Sequence, residues 1–159
     1  MMIVKSFMQN ELPNLNAALI DSNILLYAHD QNEPAKKAIA KALLRKLTDT
    51  QTLALSVQTL NEFYNAARRP KRGFNLTHDQ VVTILGDITE SATVYDLSSE
   101  TAFRAYDAIT RYGFSLWDSL IWAVAKENGI GIIYTEDGQS AEVIEGVRYT
   151  NPFTTSDEV

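Results

Sequence analysis

The 159-residue sequence contains no cysteine and only two histidines, and these absences exclude several kinds of site. Without cysteine there is no disulfide framework, thiol nucleophile or thiolate metal site, so any metal must be held by oxygen or imidazole ligands. The sequence also lacks the GxGxxG, GxxxxGK and GxSxG patterns, which removes support for dinucleotide binding, P-loop phosphate binding and serine hydrolysis. No apolar run resembles a membrane helix or a signal peptide, so we expect a soluble, cytoplasmic protein.

The charge balance is acidic, with 20 Asp and Glu residues against 14 Lys and Arg residues. A net charge of −6 argues against a general phosphate-binding surface, because affinity for nucleic acid normally comes from clustered bases. Two basic clusters nevertheless occur, one in a predicted helix and one around Pro70. The first contains Lys36, Lys37, Lys41, Arg45 and Lys46, and the second contains Arg68, Arg69, Lys71 and Arg72. The charge pattern alone favours solvated surfaces for both clusters.

Strand and helix patterns alternate along the chain. Predicted strands span residues 17–21, 53–56, 93–97, 130–134 and 147–150. Predicted helices span residues 34–47, 57–69, 78–89, 101–112 and 115–128, with a short helix from about residue 139. Short apolar strands between amphipathic helices indicate a three-layer α/β/α domain with a parallel central sheet. We assign this domain to residues 17–153, with 1–16 as an N-terminal extension of unknown role and 154–159 as a C-terminal tail.

Acidic side chains follow two of the predicted strands. Ligands of such a sheet bind beyond the carboxyl ends of the strands, near the point where strand order reverses. Asp21 ends the first strand and Asp137 follows the fourth, so we expect both carboxylates at that edge, with Thr135 and Glu136 as further oxygen donors. Each acid has a structural alternative, since Asp21 is also suited to a helix N-cap and Asp137 to an Asp-Gly turn.

Asp21 is not the only residue at this position of the chain that could cap a helix. Ser22 and Asn23 are equally suitable capping residues, which leaves Asp21 less necessary as a cap and more available as a ligand.

Two further acids lie in predicted helices. Asp118 has the spacing from Ser115 that is typical of a capping box, and this is its structural alternative. Residues 120–125 are apolar all round, however, so Asp118 should lie in the first turn of a buried helix, where a carboxylate needs a cation or several donors. Glu62 lies opposite the apolar stripe of its helix, and the helical pattern by itself favours a solvated side chain.

Together these segments resemble the PIN-domain nucleases, specifically the VapC-type toxins of bacterial and archaeal toxin–antitoxin pairs. The matching segments are IDSNILLYAHD, LSVQTLNEFY, FSLWDSLIWAVA, and IIYTEDGQ followed by VIEGVRYTNPF, which cover roughly residues 18–153. The chain departs from such relatives at Ser140 and Ala141, where they often have a His-Gly pair.

The resemblance implies a divalent-metal-dependent endoribonuclease that uses Mg²⁺, with Mn²⁺ as a substitute. The residues that it implies as metal ligands and catalytic groups are Asp21, Glu62, Asp118 and Asp137, with Asn23 and Thr135 in support. It therefore reverses the interpretation of Glu62 as merely solvated. It also implies an RNA substrate, a small antitoxin that covers the cleft, and a homodimer. Arg68, Arg69, Lys71 and Arg72 become candidates for steering the RNA.

Two other hypotheses are compatible with parts of the sequence. One is a catalytically silent PIN-like module that holds RNA or a protein without cleaving it, although the presence of all four acids argues against it. The other is a phosphoacceptor signalling domain, which also gathers acids at the edge of a parallel sheet. That hypothesis is weaker, because Asp21 has no adjacent acidic partner and no lysine ends a predicted strand.

Overall fold

Strands and helices alternate along the part of the chain described by the computed structural model, which comprises residues 16–70, 73–137 and 143–154. The strands are β1 (Ala18–Ile20), β2 (Leu53–Ser56), β3 (Thr93–Tyr95), β4 (Ile132–Tyr134), β5 (Val143–Ile144) and β6 (Val147–Thr150). The helices are α1 (Ser22–Ala28), α2 (Pro34–Asp49), α3 (Val57–Ala67), α4 (His78–Glu90), α5 (Ser99–Tyr112) and α6 (Leu116–Glu127). No helix in these ranges is long and apolar enough to cross a membrane.

The predicted α/β alternation is confirmed, with two additions. Helix α1 was not predicted, because its seven residues are too few to display a helical period. Strand β5 was not predicted either, and it pairs with β6 in the antiparallel direction, so the sheet is parallel except at this edge. The short helix predicted from about residue 139 begins within residues 138–142, which lie outside the described residues.

The order of the strands in the sheet is β3-β2-β1-β4-β6-β5. From β1 the chain proceeds through β2 and β3 towards one edge, and from β4 it proceeds towards the other. The order therefore reverses between β1 and β4, which pair in parallel with Ile20 opposite Tyr134. The backbone N–H of Asp21 donates to the carbonyl of Tyr134 at 3.0 Å and extends this pairing by one residue. The ends of β1 and β4 thus form the crevice in which such sheets bind ligands.

Both faces of the sheet are covered by helices. Along β1, Ala18 and Ile20 pack with α1, α2, α3 and α4 on one face, while Leu19 packs with α5 and α6 on the other. Because successive side chains of a strand point to opposite faces, a strand that is buried on both sides has to be apolar at every position. This explains the continuous apolar sequence of β1, and the three layers of the predicted fold are confirmed.

Two fully buried serines differ in whether their hydroxyls are paired. Ser56 is the N-cap of α3, and its Oγ accepts from the N–H of Thr59 at 3.2 Å. The Oγ of Ser119 has no hydrogen-bond partner among the described residues. An unpaired buried hydroxyl costs about 1–3 kcal/mol, whereas loss of an N-cap costs about 1 kcal/mol.

We therefore expect Ser119→Ala to raise the free energy of unfolding by about 1 kcal/mol, since it removes an unpaired polar atom. Ser56→Ala, the matched control, should lower the free energy of unfolding by about 1 kcal/mol, since it removes a paired one. Urea denaturation of both variants measures the difference. Equal destabilisation by the two substitutions would contradict the unpaired state of the Ser119 hydroxyl.

Candidate active site

A cleft of about 1010 Å³ opens at the carboxyl ends of β1 and β4. Its walls come from α1, α3 and the first turn of α6, which meet above the point where strand order reverses. All four acids that the sequence singles out line this cleft: Asp21, Glu62, Asp118 and Asp137. They come from four separate segments of the chain, so the fold brings together residues that are up to 116 positions apart (137 − 21) in the sequence.

Hydrogen bonds to neighbouring groups hold Asp21 in a fixed orientation. Its Oδ1 accepts from the N–H of Ser22 at 2.7 Å, and its Oδ2 accepts from the hydroxyl of Thr135 at 2.9 Å. The Thr135 oxygen also accepts from Asn23 Nδ2 at 3.3 Å and from the N–H of Asp137 at 3.2 Å. A hydroxyl has two acceptor positions and one proton, so the proton of Thr135 has to be donated to Asp21.

The structural alternative for Asp21, a helix N-cap, is confirmed, and neither Ser22 nor Asn23 takes its place. Asp21 is itself the N-cap, because it has the extended conformation (φ −76°, ψ 159°) that a capping residue adopts, whereas Ser22 is already helical. The Ser22 hydroxyl instead donates to Glu62 Oε2 at 2.8 Å, and Asn23 reaches Asp137 Oδ2 at 3.4 Å. Asp21 therefore caps α1 and also lines the cleft.

Glu62 is half-buried and hydrogen-bonded, so the interpretation from its helical position alone is wrong. Its Oε2 accepts from Ser22, and its Oε1 accepts from Gln58 Nε2 at 2.6 Å. Gln58 Nε2 also reaches the backbone carbonyl of Trp117 at 3.4 Å, which joins α3 to the first turn of α6. Sequence reasoning missed Ser22 and Gln58 as partners, although the i, i+4 spacing of Gln58 and Glu62 was a usable signal.

Asp118 lies in the first turn of α6, half-buried, as the sequence predicts. The hydroxyl of Ser115 caps the helix by accepting from the N–H of Asp118 at 3.1 Å. The reciprocal bond of a capping box, in which the backbone N–H of Ser115 would donate to the Asp118 carboxylate, does not form. The following residues Ile121–Ala125 are all buried, so the expectation of a buried helix is confirmed.

The carboxyl groups of the cleft repel one another. Burial raises the pKa of Asp21 to about 6, and the charges of Glu62 and Asp118 add to the increase, while hydrogen bonds from Thr135 and Ser22 oppose it. Burial also raises the pKa of Asp118, with smaller contributions from the charges of Asp137 and Glu62 and an opposing hydrogen bond from Ser115. These interactions link all four acids, and a cation among them would relieve the repulsion.

The donor set fits a hard divalent cation held partly through water. Within the described ranges, no three His, Asp or Glu side chains are close enough to one another to hold a metal ion by themselves. Mg²⁺ usually keeps several waters and is bound by one or two carboxylates together with substrate phosphate. Asp21 and Asp118 are half-buried and repel each other, which suits this open mode of binding. The acids do not form a closed site made only of protein ligands.

The basic residues proposed for RNA steering have separate locations. Arg69 is exposed and lines the cleft. Arg68 lies outside the lining, donates to the Tyr64 hydroxyl at 2.9 Å and has its guanidinium 5.5 Å from the centre of the Tyr64 ring. Lys71 and Arg72 lie outside the described residues.

Glu136 forms an ion pair with Lys36 beside the cleft. Its Oε1 lies 2.5 Å from Lys36 Nζ, and that ammonium group also sits 4.6 Å from the centre of the Tyr27 ring. Burial raises the pKa of Glu136, but hydrogen bonds from Lys36 and Tyr27 and the charge of Lys36 outweigh burial, so the pKa is lowered. Glu136 therefore anchors the end of β4 and does not line the cleft, contrary to its predicted use as a further oxygen donor.

The Thr135 hydroxyl should have a measurable effect on the titration of Asp21. Since its hydrogen bond lowers the pKa of Asp21, the isosteric Thr135→Val should move that pKa further above about 6 in the metal-free protein. Thr135→Ser retains the hydroxyl and should leave the pKa near that value. Carboxyl-carbon NMR titration measures both variants, and an unchanged or lower pKa in Thr135→Val would contradict the assigned direction of the bond.

Comparison with solved structures shows that the fold is shared with toxins of toxin–antitoxin systems. One similar structure is a toxin–antitoxin complex from Klebsiella pneumoniae, with a TM-score of 0.63, 21% identity, and coverage of 86% of this chain and 98% of the other. VapC20 of Mycobacterium tuberculosis, a toxin described as cleaving the sarcin–ricin loop, gives a TM-score of 0.59, 17% identity, and coverage of 83% and 99%. DNA-bound VapBC of Salmonella typhimurium gives 0.62, 16% identity, and coverage of 86% and 98%.

Sequence comparison identifies the family. A search of curated proteins finds no match. The family model described as the PIN domain matches residues 18–145, which include β1, α3, α6 and β4 and hence all four acids of the cleft. Because this match spans most of the sequence, the chain belongs to the PIN-domain family.

Proposed function

We propose that the chain is a divalent-metal-dependent endoribonuclease that hydrolyses RNA phosphodiesters, and that it is the toxin of a type II toxin–antitoxin pair. The observation that carries the proposal is the cleft at the strand ends, where four acids lie together and the pKa of Asp21 is raised to about 6. Membership of the PIN-domain family and the fold shared with VapC toxins support it.

Asp21 and Asp118 are the proposed direct ligands of Mg²⁺, and Asp137 and Glu62 would hold bound waters or contribute to a second position. When bound, the ion would supply positive charge that neutralises the phosphate and would act as a Lewis acid that activates the attacking water. An acidic protein then attracts a polyanion only when metal is present, because the ion inverts the local charge. RNA binding by this chain should accordingly depend on metal.

The remaining polar residues orient these acids. Thr135 fixes the carboxylate of Asp21, and Ser22 with Gln58 fixes that of Glu62. Arg69 is available at the cleft to pair with a phosphate. In the proposed hydrolysis, a water oxygen bonds to phosphorus, the bond from phosphorus to the 3′ oxygen breaks, and that oxygen takes up a proton. The products carry a 5′-phosphate and a 3′-hydroxyl.

We also propose two protein partners, an antitoxin and a second copy of the chain. Several of the similar structures are complexes of a toxin with its antitoxin, including VapBC2 of Rickettsia felis bound to a promoter fragment. By analogy, a small antitoxin would cover the cleft of this chain by inserting a basic side chain among the acids. A homodimer is proposed on the same resemblance.

Asp118→Asn should keep the fold and reduce Mg²⁺-dependent RNA cleavage by about 100-fold or more, because even indirect partners of a metal site are worth about 10–100-fold. Asp79→Asn is a matched control, since Asp79 is also an acid in the first turn of a capped helix but does not line the cleft. It should cleave like the wild type. A purified Asp118→Asn protein as active as the wild type in matched Mg²⁺ would exclude the proposed site.

The alternative of a silent PIN-like module is favoured by two observations. Both oxygens of Asp21 already accept hydrogen bonds, and no preformed group of three metal ligands exists in the described ranges. A module that only holds RNA or a protein has no need to bind metal.

Calorimetry with Mn²⁺ separates the two functions. The nuclease should bind Mn²⁺, and Asp21→Ala should lose that binding because it removes a direct ligand. Asp79→Asn should retain it. Circular dichroism controls for the fold of Asp21→Ala, which also lacks the N-cap of α1. Absence of Mn²⁺ binding by the wild type would favour the silent module.

A further inference from the structure

Trp117 is an exposed aromatic side chain at the edge of the acidic cleft. It lies in the first turn of α6, is 59% exposed, and lines the cleft directly beside Asp118. The protein's other tryptophan, Trp122, is only 3% exposed and donates through Nε1 to the carbonyl of Ile144 at 3.2 Å. One helix thus places one tryptophan in the core and presents the other to solvent at the cleft.

The backbone beneath Trp117 is tied to the opposite wall of the cleft. Its carbonyl accepts from Gln58, which also holds Glu62. The backbone of Trp117 and the carboxylate of Glu62 thus share Gln58 as a hydrogen-bond donor. Adjacent residues have Cα atoms about 3.8 Å apart, so the indole and the Asp118 carboxylate occupy the same turn of helix.

The facing wall has the chemistry to bind a nucleic-acid strand. Asn61 and Asn65 follow Gln58 on α3 at spacings of three and four residues, and Arg69 lies just beyond the end of the helix; all three line the cleft. Amide and guanidinium groups donate to phosphate and to base edges. Arg69 is the single basic side chain among the described residues that line this cleft.

An aromatic surface opposite such donors is suited to a nucleobase. Stacking of a base on an aromatic side chain is worth about 1–3 kcal/mol, and it requires a base that is free of its partner strand. An isolated exposed apolar residue needs no explanation, but this one borders the acids and faces donors of hydrogen bonds.

We propose that Trp117 is the stacking platform for an unpaired base next to the phosphate that enters the acidic cleft. The proposal rests on the proposed nuclease function. It assigns Trp117 a role in binding the substrate, with no part in bond breaking. Loss of the indole should then act on substrate affinity more than on the rate of the chemical step.

Tryptophan fluorescence tests the contact without requiring cleavage. In the otherwise wild-type chain with Mg²⁺, a single-stranded ribo-oligonucleotide of mixed sequence, with phosphorothioate linkages that resist cleavage, should quench the emission. The quenching should persist when Trp122→Phe is added and disappear when Trp117→Phe is added, because the two tryptophans can be removed separately. The same RNA as a blunt duplex should quench weakly, since its bases are paired. Trp117→Ala should weaken binding about tenfold, which corresponds to about 1.4 kcal/mol.

Several outcomes would overturn the proposal. They are absence of quenching by single-stranded RNA, persistence of quenching in Trp117→Phe, equal quenching by the duplex, and unchanged RNA affinity in Trp117→Ala. The last result would be expected if Trp117 served a protein partner instead. In the cleavage-competent chain, Trp117→Ala should raise KM about tenfold and change kcat less.

The cleavage assay of the wild type keeps the two proposals separable. If the wild type fails to cleave RNA while quenching at Trp117 is observed, the nuclease function is wrong and the stacking contact stands. If the wild type cleaves and Trp117→Ala binds and cleaves equally well, only the stacking contact is wrong.

Discussion

The hydrogen bond from Thr135 to Asp21 joins the carboxyl ends of the two central strands, and the site is organised around it. Strand β1 is buried on both faces, so its first opportunity for a polar residue comes where the strand ends. Strand order reverses at the same place, which leaves a crevice there. The Thr135 oxygen collects donors from α1 and from the segment after β4, so one buried hydroxyl aligns both sides of the crevice.

The acids in this crevice are held together at an electrostatic cost. A pKa of about 6 for Asp21 means that its charged form, which dominates at neutral pH, is less favourable in the fold than in a free peptide. The unfavourable interaction falls away on protonation, as pH drops through about 6 towards the ordinary value of 3.8, or on binding of a cation. The proposed divalent ion would recover this energy on binding, which would couple metal affinity to the burial and repulsion of the acids.

Residues fixed by backbone geometry could be predicted from the sequence, whereas residues fixed by packing between elements could not. Asp21 and Asp137 follow strands, and parallel strands deliver their ends to one edge, so two carboxylates were located without side-chain detail. Glu62 was interpreted as solvated from its position on its own helix, because the hydroxyl that binds its carboxylate comes from Ser22 on another element. Only the resemblance to a family restored it. Ser22 was considered only as a possible cap for the same reason, since the Glu62 carboxylate that accepts from its hydroxyl lies on α3.

The residues that would carry the chemistry of the site are thus distinct from the residues that line its walls. Three of the four acids depend on strand ends and the first turn of α6, which the topology dictates, and chains only 16–21% identical share this fold with TM-scores near 0.6. The walls of the cleft include exposed positions of α3 and α6, such as Asn65 and Trp117, which do not pack into the core. Exposed positions tolerate substitution within about 0.5 kcal/mol. The walls can therefore change at little cost to the fold, whereas Asp21, Asp118 and Asp137 hold positions that the topology fixes.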